Sequence, residues 1–160
     1  MESLLNKEPV KRAQKALKDF DQSLGVTVLD SSAKTAIDAA KYLKCDVGAI
    51  IKSLLLRTGN TFLVCLVAGD KRCSLNKIKK IINKKDVSMA LPEQVKNQTG
   101  YTIGGVSPIG HINKLEIIID NTLERFKDLY AAAGHPNCIF QINFKNLQKI
   151  TKGEVKEFTE

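Results

Sequence analysis

A single lysine interrupts an apolar stretch of the chain: Lys52 lies between Ala49-Ile50-Ile51 and Leu54-Leu55-Leu56. At a two-residue period it shares a face with Ile50, Leu54 and Leu56, so the alternation gives it no polar face of its own. An ammonium group buried there without a partner is costly. Two readings stand, an edge lysine whose amine reaches solvent and a lysine in a cleft that donates to a phosphate or a polarised carbonyl. The second candidate is the stretch Thr99 to His111, with Gly100, Gly104, Gly105 and Gly110 around Ser107 and Pro108. Backbone so free of side chains approaches a ligand closely and presents N–H groups to an anion or a developing oxyanion; a plain turn is the alternative. Neither G-x-G-x-x-G nor G-K-S/T occurs, so the stretch is not a Rossmann fingerprint or a P-loop. His135, within Gly134-His135-Pro136-Asn137, sits at a hairpin tip, where a solvated turn histidine is the commoner case.

Other chemistry is absent from the pattern. Cys45, Cys65, Cys73 and Cys138 form no C-x-x-C pair and stand apart from His111 and His135, so they read as reduced core thiols and no metal or cofactor is expected. No Ser-His-Asp, paired-carboxylate or Cys-His order is recognisable, which disfavours a side-chain nucleophile. Lys77, Lys80 and Lys84 fall on one predicted helical face, suited to backbone phosphates or simply solvated.

The elements that must position these residues mix helix and strand. Pro9 at a helix N1 position precedes Val10, Ala13, Leu17 and Phe20 or Leu24 at helical spacing, and Gly25 closes that segment. Val26 to Leu29 reads as a short strand. Ser31 or Ser32 caps a helix over Ala33 to Leu43. Ala49 to Arg57 and Thr61 to Ala68 form a hairpin about Gly59-Asn60. Ser74 caps a basic helix with Leu75, Ile78, Ile81 and Ile82 on its inner side. Pro92 opens a short helix that Gly100 ends. Leu115 to Asp120 is a strand, Leu129 to Ala133 and Cys138 to Ile142 a second hairpin, and Leu147 begins a terminal turn. Without regular βαβ alternation the fold class is α+β, with a largely antiparallel or mixed sheet.

Length and composition bound the whole. The 160 residues suit a single domain over 1–160, and 43% hydrophobic with 26% charged residues exclude a disordered chain. Net charge is +8, which favours an anionic partner such as nucleic acid or a phosphorylated ligand. Aromatic residues make up 6% and Trp is missing, so an extended base-stacking platform is not expected. The N-terminus lacks a signal-type apolar region, and the longest apolar run, Phe62 to Gly69, is far short of the roughly 20 residues that span a bilayer. A soluble, cytoplasmic, monomeric protein without a membrane partner is expected.

Taken in order, Ala36-Ile37-Asp38-Ala39-Ala40, Ile50-Ile51-Lys52-Ser53-Leu54, Ala68-Gly69-Asp70-Lys71-Arg72, Thr99-Gly100-Tyr101 leading to Gly104-Gly105-Val106-Ser107-Pro108-Ile109-Gly110, and Ala133-Gly134-His135-Pro136-Asn137 resemble the YbaK and prolyl-tRNA synthetase-associated (ProX-type) editing domains. The resemblance spans about residues 25–157, with 1–24 an N-terminal helix. It implies a compact mixed, barrel-like sheet flanked by helices that hydrolyses mischarged aminoacyl-tRNA in trans. It also implies that Lys52 binds and orients the terminal adenosine and ester. Gly104, Gly105, Ser107, Pro108 and Gly110, with Gly134, His135, Pro136 and Asn137, would bind the aminoacyl group, and the ribose 2′-hydroxyl and a positioned water would replace a nucleophilic side chain. Lys77, Lys80 and Lys84 would meet the tRNA, and prolyl-tRNA synthetase would be a second partner. The Gly134 to Asn137 loop resembles the freestanding deacylases, whereas Ser107 to Gly110 is compatible with YbaK-like members too. The expected substrate centres on alanine or 2-aminobutyrate attached to a proline tRNA. A YbaK-type Cys-tRNA-Pro deacylase and a non-catalytic tRNA- or synthetase-binding module are the alternatives.

Overall fold

The computed structural model describes residues 3–30 and 35–160. Its centre is the expected hairpin: β2 (Ile50–Thr58) and β3 (Thr61–Ala68) pair antiparallel from Thr58↔Thr61 to Ile51↔Ala68. Gly59 takes the positive φ of 67° that this two-residue turn needs. The pair is apolar on both faces because both are covered. Ile51, Leu55, Val64 and Leu66 pack with Val10, Ala13 and Leu17 of α1 (Glu8–Phe20), Tyr101, Phe140 and Leu147. Leu56, Leu63, Cys65 and Val67 pack the other way, against Ile78 of α3 (Leu75–Ile82) and Phe158.

Around the hairpin run β1 (Thr27–Val28), α2 (Ala36–Leu43), β4 (Val87–Met89), α4 (Pro92–Thr99), β5 (Glu116–Asp120), β6 (Leu129–His135), β7 (Cys138–Ile142), α5 (Phe144–Thr151) and β8 (Glu154–Lys156). The sheet order is β1-β7-β6-β2-β3-β5-β8, with β4 also paired to β2. β2 with β6, β3 with β5 and β5 with β8 are parallel; the other pairs are antiparallel. The sheet is mixed and flanked by helices, as expected, and it is not a closed barrel: the short outer strands β1 and β8 do not meet among the described residues.

Local chemistry explains the boundaries. Ser74 Oγ accepts from the Lys77 N–H at 3.2 Å and starts α3. Pro92 opens α4 and Gly100, at φ 79°, closes it. α1 stops at Asp21, not Gly25: the Asp21 carboxylate accepts from the Ser23 N–H at 2.9 Å and its hydroxyl at 2.7 Å, a local turn that outcompetes another helical turn. α2 begins at Ala36 because Thr35 Oγ1 accepts from the Asp38 N–H at 3.1 Å; the expected caps Ser31 and Ser32, and Ala33, lie outside the described residues. Asn83, at φ 55°, ends α3, so Lys84 lies beyond the helix and off the face that Lys77 and Lys80 share. The expected terminal turn is a full helix, α5, capped by Asn143 Oδ1 on the Asn146 N–H at 2.8 Å, followed by β8. Buried Asp120 holds the last residues, accepting from the Phe158 N–H at 2.9 Å and the Thr159 hydroxyl at 3.0 Å.

Candidate active site

The site follows from a gap in pairing along one edge of β2. β6 pairs with that edge at Ile50 and Ile51, and β4 pairs with it from Leu56 to Thr58. Between them, Lys52 to Leu55 have no strand opposite. The strands splay there and enclose a cavity of about 360 Å³. Its walls are largely apolar: Ala39 from α2, Ile50 and Ile51 from β2, Val95 from α4 and Ile139 from β7. Ile103, Gly104 and Val106 of the glycine-rich loop and Pro136 of the β6–β7 turn close one side.

Lys52 and Ser53 both line this cavity. Lys52 also lines an adjoining groove of about 510 Å³ with Asp70, Lys71, Arg72, Cys73 and Glu160, and Met89 borders both spaces. Lys52 is therefore neither buried alone nor free in solvent. Its amine donates to the Lys71 carbonyl at 2.6 Å. Desolvation holds the amine's pKa below the ordinary lysine value, while the negative charge of Asp70 and the Cys73 sulfur oppose that shift and Arg72 adds to it. Asp70 is fixed in turn by Arg125, whose two terminal nitrogens donate to the carboxylate at 2.9 and 2.7 Å.

The glycine loop is clamped at both ends by α1. Arg12 Nε donates to the Gly110 carbonyl at 2.7 Å and Nη2 to the Gly100 carbonyl at 2.9 Å, and the guanidinium lies 4.6 Å from the centre of the Tyr101 ring. Glu8, one turn earlier, accepts from Arg12 Nη1. The Tyr101 hydroxyl donates to the Ile109 carbonyl at 2.8 Å, which folds the loop back on itself. The Gly134 N–H donates to the Gly105 carbonyl at 3.0 Å, joining this loop to the β6–β7 turn. A Cβ on Gly105 would stand 3.0 Å from the Gly134 backbone, and one on Gly134 would stand 2.7 Å from Pro9, so neither position has room for a side chain. The Gly105 N–H is occupied by the Thr102 carbonyl at 2.9 Å, whereas the N–H groups of Gly104 and Val106 have no acceptor among the described residues.

The remaining expected site residues separate. Gly104 and Pro136 line the cavity, and Gly105 and Gly134 weld its rim. Ser107 is fully buried and its hydroxyl accepts from the Ile109 N–H at 3.4 Å. Pro108 and Gly110 line a different groove, of about 650 Å³, beside His111. The His111 Nε2–H donates to the Ser107 carbonyl at 2.7 Å, and burial pushes its pKa down. In the turn, His135 Nδ1 accepts from the Asn137 N–H at 3.0 Å, and the Asn137 carbonyl accepts from the Leu29 N–H at 2.6 Å. Lys77 donates to the Thr159 carbonyl at 2.7 Å and pairs with Glu157, so its charge secures the C-terminal segment, while Lys80 and Lys84 are exposed. All four cysteines are free; Cys65 is buried, and the thiol of Cys73 is coupled to it by a hydrogen bond that pushes the Cys65 pKa up and the Cys73 pKa down. No group of three or more His, Cys, Asp or Glu side chains that could hold a metal occurs among the described residues.

Sequence reasoning passed over Arg12 and Ser53. Arg12 stands four residues after Glu8, an ordinary surface-helix pair, and nothing local reveals that it reaches a loop 88 to 98 residues away. Ser53 did carry a signal: it is the only uncharged polar residue between Ala49 and Leu56.

Comparison with known proteins identifies the family. The chain is 30% identical over 131 residues to the uncharacterized protein YwhH of Bacillus subtilis, covering 81% of this chain and 83% of that protein. It is 27% identical over 110 residues to the proline–tRNA ligase of Thermosipho melanesiensis, covering 69% of this chain and 19% of the ligase. A crystal structure proposed to be a trans-editing enzyme for prolyl tRNA synthetase superposes with a TM-score of 0.92 at 32% identity, over 96% of this chain and 98% of that one. The model of the aminoacyl-tRNA editing domain matches residues 30–150, about three quarters of the chain, so the chain belongs to the aminoacyl-tRNA editing domain family.

Proposed function

We propose that this protein hydrolyses the ester of mischarged aminoacyl-tRNA in trans. The observation that carries this reading is the cavity on the bare edge of β2, where Lys52 stands at the junction with the adjoining groove and Gly104 and Val106 line the opposite rim. The acyl group enters the apolar cavity and the terminal nucleoside lies toward the Lys71–Arg72 groove. The Lys52 amine meets the ester from the side of the nucleoside. The unengaged N–H groups of Gly104 and Val106 stabilise the oxyanion. Water, positioned with the help of the ribose 2′-hydroxyl, adds to the ester carbonyl. The bond to the ribose oxygen then breaks, that oxygen takes the proton, and the free amino acid leaves. Lys80 and Lys84 contact acceptor-stem phosphates.

The similarity to proline–tRNA ligases and to a structure named for prolyl tRNA synthetase supports a proline tRNA, and with it that synthetase as partner. Alanine and 2-aminobutyrate are the proposed acyl groups. One methylene in an apolar pocket discriminates by only about 1 to 3 kcal/mol, so related small residues are hydrolysed more slowly, not refused. Deacylation across tRNAs carrying alanine, 2-aminobutyrate, serine, threonine and cysteine tests the reading. Fastest release of alanine or 2-aminobutyrate from proline tRNA is expected. Preference for cysteine would make the protein a YbaK-type deacylase, and tRNA binding without turnover of any ester would make it a binding module.

A further inference from the structure

Ser53 carries the one buried side-chain polar atom that has no hydrogen-bond partner among the described residues, and that residue lines the cavity. Buried hydroxyls are almost always satisfied, and those left open in a folded chain call for an explanation. The backbone at Ser53 adds to the observation. The Leu55 carbonyl crosses the edge of β2 to accept from the Ala90 N–H at 3.0 Å. Main-chain groups two residues apart on a strand point the same way, so the Ser53 carbonyl faces the same edge, where neither β4 nor β6 pairs. One residue thus brings two oxygen acceptors to the cavity wall, a buried hydroxyl without a partner among the described residues and a main-chain carbonyl on the bare edge.

An aminoacyl ester brings three groups to such a space. Its alkyl side chain suits the apolar walls. Its carbonyl needs donors, which Lys52, Gly104 and Val106 supply. Its α-ammonium needs acceptors, which an amine and N–H groups cannot be. Among the described residues no carboxylate lines the cavity. Of the other side-chain oxygens there, Thr35 Oγ1 is engaged as the cap of α2, and the Tyr130 phenol lies near Cys45 and Asp128. Ser53 remains.

We propose that Ser53 is a specificity-determining residue whose hydroxyl oxygen, with its own carbonyl, accepts hydrogen bonds from the α-amino group of the acyl moiety, so that the cavity selects esters of amino acids over esters of acids lacking that amine. The proposal rests on the deacylase reading. A nucleophilic role does not fit: among the described residues no histidine or carboxylate lines the cavity, and Lys52, adjacent in sequence, projects from the opposite face of β2 with its amine tied to the Lys71 carbonyl.

The test compares alanyl-tRNA with lactyl-tRNA, the same ester with a hydroxyl in place of the amine. The wild type should favour the alanyl ester. Ser53→Ala should lower kcat/KM for it by about 10- to 100-fold, as expected for a missing hydrogen bond to a charged group, and leave the lactyl ester within about threefold. Ser53→Thr should restore the preference. Thermal stability of Ser53→Ala should match or exceed wild type, since the hydroxyl holds nothing in the unliganded fold. An equal fall on both esters, an unchanged alanyl rate, or an acyl group trapped on Ser53 would overturn the proposal. If the wild type hydrolyses neither ester, the deacylase reading fails by itself, and binding of 3′-alanylamino- and 3′-lactylamino-3′-deoxyadenosine decides the role of Ser53. Tighter binding of the alanyl amide that Ser53→Ala abolishes supports it; equal affinity, or none, overturns it.

Discussion

Lys52 shows how a charge survives in an apolar strand: its amine finds the Lys71 carbonyl in the groove beside the cavity. Replacing it by alanine should lower kcat/KM for deacylation by about 10²- to 10³-fold, the usual loss when a positioned electrostatic group is removed. The same change should move Tm by less than about 4 °C, since one hydrogen bond to a carbonyl is at stake. Loss of fold together with activity would assign Lys52 to the architecture instead. Its titration provides a second test. Desolvation depresses the amine's pKa and Asp70 raises it, so Asp70→Asn should push the midpoint, followed by NMR of the lysine side chain, further down. Movement upward would show that Asp70 does not face the amine. The sign for stability follows from the same shift. Between the depressed folded value and the ordinary 10.5, the unfolded chain holds the proton more tightly, so the contribution of Lys52 to stability grows as pH rises through that window. Lys52 was legible as a candidate because one charge in an apolar run is conspicuous. Arg12 was not, because its partners lie a hundred residues away and only the fold brings them together.

At the level of elements, the loop from Gly100 to Gly110 owes its shape to a helix that the sequence motifs left aside. Arg12 of α1 grips its two ends and Tyr101 staples its middle. Burial pushes the Tyr101 phenol up to about 12, against 10.0 when free. Its contribution to stability is therefore full below pH 10 and is lost as pH rises toward 12. Tyr101→Phe should cost about 1 to 2 kcal/mol at neutral pH, because the Ile109 carbonyl loses its donor in a dry site, and should flatten the alkaline limb of a stability–pH profile obtained by urea unfolding. An alkaline limb that stays as steep as in wild type would mean another group titrates there. The hairpin β2–β3, α3 and α4 were readable because each carries its own boundary signal: Gly59 at the turn, Ser74 at the start of α3 and Gly100 at the end of α4. The strands β4 and β8 were not: each has only three residues, too few for a two-residue period to register, and each exists only because a longer strand offers it an edge.

Across the whole molecule, the excess of 8 positive charges makes electrostatics the sequence-independent part of any tRNA affinity. The lysines are not equivalent in this respect. Lys80 and Lys84 are exposed, while Lys77 secures the C-terminal segment through Thr159 and Glu157. Lys80→Gln with Lys84→Gln should reduce the slope of log affinity against log salt by about 0.7 to 0.9 for each phosphate that the variant no longer neutralises, with turnover at saturating tRNA unchanged. Lys77→Gln should lower stability instead. A double variant that keeps the wild-type slope would move the anion-binding surface to Lys71 and Arg72. The open sheet could not be read from local pattern, since closure depends on whether the fold brings its two end strands, β1 and β8, together. The unpaired stretch of β2 could not be read either, since it is defined by where two other strands end. A strand edge exposed to solvent invites association with other chains; this one is turned inward and walled by α2, α4 and two loops, so it stays available without that hazard. Recognition that rests on peptide groups is also insulated from mutation, because no substitution deletes a carbonyl or, proline apart, an N–H. Ala39, Val95, Ile103 and Ile139 can therefore drift, altering which acyl group fits, while the polar framework is inherited intact, and a lineage of such domains can diversify in substrate without having to reinvent its chemistry.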